Sequence, residues 1–250
     1  VNYHDKIILV TGGGSGIGRA VAQAFAENDG TVVVSGRNRE PLEQTVKLIE
    51  AAGGRGAAVT ADVTSSADLE RLLDGIVDRY GRLDVAVNNA GVLATGLTSE
   101  LAERQWAYML GVNTTGTFLS MQHEIAAMRV SGGGAIVNIG SNIGAHTRIP
   151  GTGGYAASKA AVTALSRTAA LEYIHEGIRI NVVSPGASDT PMSMLPGETD
   201  ADRAARLGSQ VPIGRVGALE EIASAVLWVA SDEASYMVGH DLVIDGGSSA

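Results

Sequence analysis

The chain has 250 residues, 33 of them glycine and none cysteine, and its 27 acidic against 18 basic side chains give a formal charge of -9. Lack of cysteine excludes disulfides, thiolate metal sites and a cysteine nucleophile. The acidic balance argues against a nucleic-acid partner, which calls for a basic face. With 45% hydrophobic residues, the glycines belong to a folded chain with one sizeable core. No run reaches the ~18 apolar residues of a membrane helix. The polar start, Val1 to Lys6, does not open a secretory signal, so a cytoplasmic location is expected. Without linker, charge block or repeat, residues 1–250 read as one domain.

In chain order, Ile7-Ile8-Leu9-Val10 is a continuous apolar run, as for a strand buried on both faces. Ile17, Val21, Ala24 and Phe25 then recur on one helical face. Thr31 to Val34 reads as a strand, Glu40 to Ala52 as a helix, and Ala57 to Thr60 as a third strand. The clearest helix carries Leu69, Leu72, Leu73, Ile76, Val77 and Tyr80 on one stripe, with Ser65 or Ser66 to cap it and Gly81 to end it. Val85 to Val87 is a fourth strand. The spacing then predicts a helical region from Ser99 to Arg129 with a break near Asn113–Gly116. A strand Ala135–Ile139, a helix Tyr155–Glu176 and a strand Ile178–Val183 follow, and a helix Leu219–Ala230 and a strand Asp241–Ile244 close the order. Such alternation predicts an α/β fold, a doubly wound seven-stranded parallel sheet with helices on both faces. Ligands of such sheets sit beyond the carboxyl ends of the strands.

After the first strand, Thr11-Gly12-Gly13-Gly14-Ser15-Gly16-Ile17-Gly18 leads directly into a helix. A glycine turn there lets the backbone approach a pyrophosphate, which a helix N-terminus stabilises. Tyr155 and Lys159 lie four apart on a predicted helix and share a face, in a chain with only three lysines. A phenol of pKa ~10 exchanges protons poorly at neutral pH, and a nearby ammonium favours its phenolate. At the second strand end, Val34-Ser35-Gly36-Arg37-Asn38 holds no carboxylate for a ribose 2′-hydroxyl, and Arg37 suits a 2′-phosphate. NADP is therefore expected, with NAD possible. The five histidines are scattered without H-E-x-x-H, so no metal site is expected. His146 and Arg148 fall on a loop expected to border the substrate.

The glycine loop has the spacing T-G-x3-G-x-G. Asp62-Val63 follows the third strand, Asn88-Asn89-Ala90-Gly91 ends the fourth, and Asn138-Ile139-Gly140-Ser141 the fifth. Tyr155-Ala156-Ala157-Ser158-Lys159, Ser184-Pro185-Gly186 and Ile244-Asp245-Gly246-Gly247 complete the set. Together they resemble the short-chain dehydrogenase/reductase family over essentially the whole chain. The resemblance implies a Rossmann domain that moves a hydride between a nicotinamide and a carbonyl or secondary alcohol. It implies Tyr155 as general acid/base, Lys159 on the cofactor ribose, Ser141 on the substrate oxygen and Asn113 supporting a relay water. Cofactor contacts are implied for Gly12, Gly14, Ser15, Gly16, Ile17, Gly18, Arg37, Asn38, Asp62, Val63, Asn89, Ala90, Gly91, Pro185 and Gly186, besides Tyr155 and Lys159. Thr190 would meet the carboxamide. Residues 187–215 would form a substrate lid, and a homotetramer would use the 106–129 and 219–230 stretches. The partner is a small carbonyl or alcohol substrate. A 3-oxoacyl thioester reductase, a sugar or polyol dehydrogenase, and a non-catalytic nucleotide-binding or sensing protein on the same fold remain open at this stage. The family's enoyl reductases place six residues between Tyr and Lys, against three here.

Overall fold

The structure is a computed structural model and describes residues 1–195 and 197–250. Strands β1 (Ile7–Thr11), β2 (Thr31–Gly36), β3 (Arg55–Thr60), β4 (Val85–Asn88), β5 (Gly134–Ile139), β6 (Ile178–Pro185) and β7 (Asp241–Ile244) form one sheet of order β3-β2-β1-β4-β5-β6-β7. Every pairing is parallel. Successive side chains of a strand face opposite ways. In β1, Ile8 and Val10 enter one apolar layer while Ile7 and Leu9 enter the other, which is why its sequence is a continuous apolar run.

Helices α1 (Gly16–Glu27), α2 (Arg39–Ala51) and α9 (Leu219–Ala230) cover the first face through Phe25, Leu42 and Val226. Helices α3 (Ser66–Tyr80), α5 (Gly116–Ser131) and α7 (Gly153–Tyr173) cover the second through Leu69, Ile125 and Ala169. Helix α3 starts where Ser65 Oγ accepts from the Asp68 N–H and stops at left-handed Gly81, φ 77°. No helix among the described residues is long and apolar enough to cross a membrane.

Three segments depart from the sequence reading. Helix α4 (Glu103–Met109) begins after Ser99, and the expected break is a π-helical turn at Leu110–Thr115. That turn widens the backbone just where Asn113 sits. Helix α7 begins two residues before Tyr155 and passes into a 3-10 turn at Ile174–Glu176. The stretch after β6 contains α8 (Asp200–Gly208), which starts at a reciprocal capping box between Thr199 and Asp202.

The chain winds outward from β1 toward β3 on one side and from β4 toward β7 on the other. The crevice between the ends of β1 and β4, where Thr11 pairs with Asn88, is therefore the switch point where such sheets hold ligands.

Candidate active site

Beyond that crevice lies a cleft of about 1130 Å³ lined from the loops after β1, β4, β5 and β6. Thr11 Oγ1 accepts from the backbone N–H groups of Asn89 (3.2 Å) and Ala90 (3.3 Å). Asn89 Nδ2 returns hydrogen bonds to the carbonyls of Thr11 (3.2 Å) and Gly12 (3.1 Å). The β1 and β4 loops are thereby locked together. Glycine is required on both sides of this lock. A Cβ on Gly12, at φ +65°, would lie 2.8 Å from Asn89 Nδ2, and one on Gly18 would lie 2.3 Å from the Gly12 carbonyl oxygen.

Helix α1 then begins beside the cleft. Its first turn carries no acidic residue and Ser15 makes no side-chain cap, so its leading N–H groups are left for an anionic ligand. Ser15, Gly16 and Ile17 line the cleft there. This cradle fits a dinucleotide pyrophosphate.

On the opposite wall, Ser141 caps the single turn α6 (Asn142–Ala145), its Oγ accepting from the Ile143 N–H at 3.1 Å. Ser141 also acts on the Tyr155 phenol, opposing the upward push that burial gives that group's pKa. Burial is the larger influence, so the phenol stands above its ordinary value. The ammonium expected to lower it lies 6.0 Å from the ring centroid and donates to the Ile139 carbonyl at 2.7 Å. Burial also brings Lys159 down to about 8.

Asn113 is fully buried. Its Oδ1 accepts from Val92 N–H (2.8 Å), and its Nδ2 donates to the Val92 carbonyl and to Ser158 Oγ, both at 2.9 Å. Ser158 stands between Tyr155 and Lys159 in the sequence, so Asn113 braces the helix turn that carries both.

Of the residues singled out from the sequence, Gly12, Ser15, Gly16, Ile17, Asn89, Ala90, Gly91, Ser141, Tyr155, Lys159, Pro185, Gly186 and Thr190 line this one cleft. Gly18 and Asn113 lie just behind lining residues Asn89 and Gly91, whereas Gly14 faces Pro41 of α2. Arg37, Asn38, Asp62 and Val63 lie outside the lining, at the ends of β2 and β3. Arg37 is exposed and makes no ion pair among the described residues, whereas Arg39 is paired with Glu43 at 2.7 Å. The Asp62 carboxylate accepts from Thr64 N–H (2.9 Å) and Oγ1 (2.7 Å), which fixes the turn after β3. His146 turns away from the cleft to Asp241, 2.9 Å off, while Arg148 lines it.

A buried polar chain behind the site was not anticipated. Asn88 Nδ2 donates to Glu124 Oε2 and to Asn138 Oδ1, both at 2.9 Å, and Asn138 Nδ2 donates to Ser166 Oγ at 2.7 Å. It joins α5, β4, β5 and α7 directly beneath Asn89, Ile139 and the Tyr155 helix. Its sequence signal was present: Glu124 lies three residues after Met121 and four before Met128, on the core-facing stripe of α5.

A family model described as enoyl-(acyl carrier protein) reductase matches residues 12–249. A cyclohexanol dehydrogenase from Acinetobacter is 40% identical over 98% of the chain and 95% of its own length. A 3-oxoacyl acyl-carrier-protein reductase from Thermotoga maritima is 37% identical over 99% of both chains. The crystal structure of a short-chain type dehydrogenase/reductase from Mycobacterium marinum superposes with a TM-score of 0.94 at 35% identity, covering 100% of this chain and 97% of the other.

Proposed function

From the premise that the chain belongs to the short-chain dehydrogenase/reductase family of oxidoreductases, we propose that it interconverts a secondary alcohol and its ketone with NADP(H), an alicyclic compound being the favoured substrate class. One observation carries the reaction type: the hydroxyl side chains of Ser141 and Tyr155 line the same cleft, with Lys159 one helical turn on. The nicotinamide, when bound, supplies or accepts the hydride. Ser141 Oγ and the Tyr155 hydroxyl hold the substrate oxygen. In oxidation the phenolate takes the hydroxyl proton; in reduction the phenol returns it to the carbonyl oxygen. Lys159 places a positive charge beside that phenolate, and the Asn113–Ser158 brace keeps the two side chains in register.

Backbone around Gly12, Gly14, Ser15, Gly16, Ile17 and Gly18 would hold the pyrophosphate. Asp62, Val63, Asn89, Ala90 and Gly91 would border the adenosine half, and Pro185, Gly186 and Thr190 the nicotinamide half. Arg37, with Asn38 beside it, supports the NADP preference: it is exposed, unpaired among the described residues, and follows a strand end without a carboxylate. Residues 187–195 and 197–215 serve as the lid of this single domain, residue 196 lying outside the described residues. The substrate half of the cleft presents Leu93, Ile143, Ile149, Met192 and Leu195, an apolar wall suited to a ring, with the Acinetobacter cyclohexanol dehydrogenase among the relatives. The three-residue spacing of Tyr155 and Lys159 separates this site from enoyl reduction. A homotetramer is the proposed assembly.

The test is an absorbance assay of NADPH consumption with cyclohexanone, a ketose and an acetoacetyl thioester, repeated with NADH. Cyclohexanone reduction preferring NADPH is expected. Turnover of the thioester or the ketose alone would move the substrate class, and the absence of any turnover would remove the reading.

A further inference from the structure

The cleft differs in charge from the rest of the molecule. The chain carries 27 acidic residues, yet among the described residues no Asp or Glu lines the cleft, and the charged ones that do are Lys159, Arg206 and Arg148. Two of these cations are already engaged. Lys159 is buried and bonded to the Ile139 carbonyl. Arg206 is forked onto Glu198 at 2.6 and 2.8 Å and reaches the Ser193 carbonyl at 2.9 Å.

Arg148 is different: its head is exposed, and it makes no ion pair or hydrogen bond among the described residues. It does not sit on a loose loop. Thr147 N–H donates to the Asn142 carbonyl at 2.7 Å, Gly144 N–H to the Thr147 carbonyl at 3.0 Å, and Thr152 N–H to the Ile149 carbonyl at 3.1 Å. The neighbouring His146 is tied to the buried carboxylate of Asp241, which also accepts from Thr163 Oγ1 at 3.0 Å. The backbone on both sides of Arg148 is thus pinned between Ser141 and the start of the Tyr155 helix.

An unpaired guanidinium on a pinned backbone, beside apolar Ile143 and Ile149, is a receptor for a planar anion carried on an apolar body. We infer that Arg148 is a specificity-determining residue, and that the substrate is an alicyclic alcohol or ketone bearing a carboxylate away from the reacting carbon. This rests on the proposed reaction for its oxidoreductive half, but the carboxylate recognition stands on the cleft's charge alone. None of the described lining residues is acidic, so no carboxylate of the lining competes for Arg148.

Two inert ligands of one shape test this without turnover: cyclohexanecarboxylate and its uncharged amide, cyclohexanecarboxamide, titrated calorimetrically into the whole chain with NADP+. At low salt the carboxylate should bind more tightly by roughly fivefold, the scale of an ion pair that keeps contact with water. The preference should shrink as salt is added, vanish in R148Q and return in part in R148K. Equal binding of the two ligands, no binding of the carboxylate, or a preference that survives R148Q overturns the inference. The kcat/KM ratio of 4-oxocyclohexanecarboxylate to cyclohexanone should fall by the same factor in R148Q. If the carboxylate preference holds in the titration while neither ketone is reduced, the proposed reaction fails and the recognition site stands.

Discussion

In the proposed reaction Tyr155 exchanges a proton from a place where burial resists its ionisation. Ser141 is the group that counters that burial. Replacing Tyr155 by Phe removes the proton but keeps the ring's packing, so kcat should fall by roughly a thousandfold while dinucleotide affinity, read by fluorescence titration, changes little. Ser141→Ala acts differently. It removes the influence that lowers the phenol, and oxidation requires the phenolate, so the rising limb of its pH–rate profile should move to higher pH. An unmoved profile would take Ser141 out of this role. At the cofactor end, a Cβ on Gly36 meets nothing closer than Leu42 Cδ2 at 3.5 Å, so a side chain fits there. Gly36→Asp should repel a 2′-phosphate and accept from a ribose 2′-hydroxyl. With charge-assisted bonds worth ~1.5 kcal/mol each, the kcat/KM ratio of NADPH to NADH should fall by roughly two orders of magnitude. The pairing of Tyr155 with Lys159 was legible in the sequence because it depends only on helical spacing. The direction of the phenol's shift was not, because burial is a property of the assembled walls.

Helix α5 illustrates what an element hides. Glu124 sits wholly inside, with no cation beside it, and burial raises its carboxyl to about 8 against the one lowering bond from Asn88. Glu124 Oε1, Asn88 Oδ1 and Ser120 Oγ all lack a partner among the described residues. Ser120 and Glu124 are four apart on one helical face, so an acid proton on the carboxyl gives this cluster a donor. The folded chain therefore keeps a proton that the unfolded chain releases near pH ~4.3. Its stabilising effect is complete below that value, declines as pH rises, and is gone above about 8. The loss is at most ~1.4 kcal/mol per pH unit. Glu124→Gln keeps an acceptor for Asn88 and carries its own donors, so urea unfolding from pH 5 to 9 should show a flatter dependence and a gain at pH 9 of order a few kcal/mol. A variant with the parent's pH slope, or one no more stable than the parent at pH 9, would mean that the fold does not raise the Glu124 carboxyl. Strands and long helices were legible because their apolar periods are local. Helix α8 was missed although Thr199 and Asp202 form its capping box, because the polar run from Glu198 to Arg206 lacks an apolar stripe. The π turn had a visible location but no visible form: an extra residue per turn depends on how α4 and α5 meet α7.

At the scale of the molecule, the sheet buries both faces, and the aromatic residues it leaves outside become informative. The chain has two tryptophans, and neither is in a core: Trp106 is 41% exposed and Trp228 is 38% exposed. Phe118 and Leu171 are exposed on the α5 and α7 layer that carries Trp106's helix, whereas Trp228 and fully exposed Tyr236 lie by α9 on the other side of the sheet. Among the exposed large apolar side chains, those on these two helical layers offer two surfaces for the proposed self-association. A closed assembly that uses two different self-complementary surfaces has dihedral symmetry, the smallest case being a tetramer of three perpendicular twofold axes. Sedimentation velocity should accordingly report about four times the 25.6 kDa chain mass. The double change Phe118→Glu and Leu171→Glu burdens one surface only, so it should yield dimers that retain the other. A monomeric parent removes the tetramer. A double variant that drops straight to monomers leaves a single surface, from which no tetramer of this kind can be built.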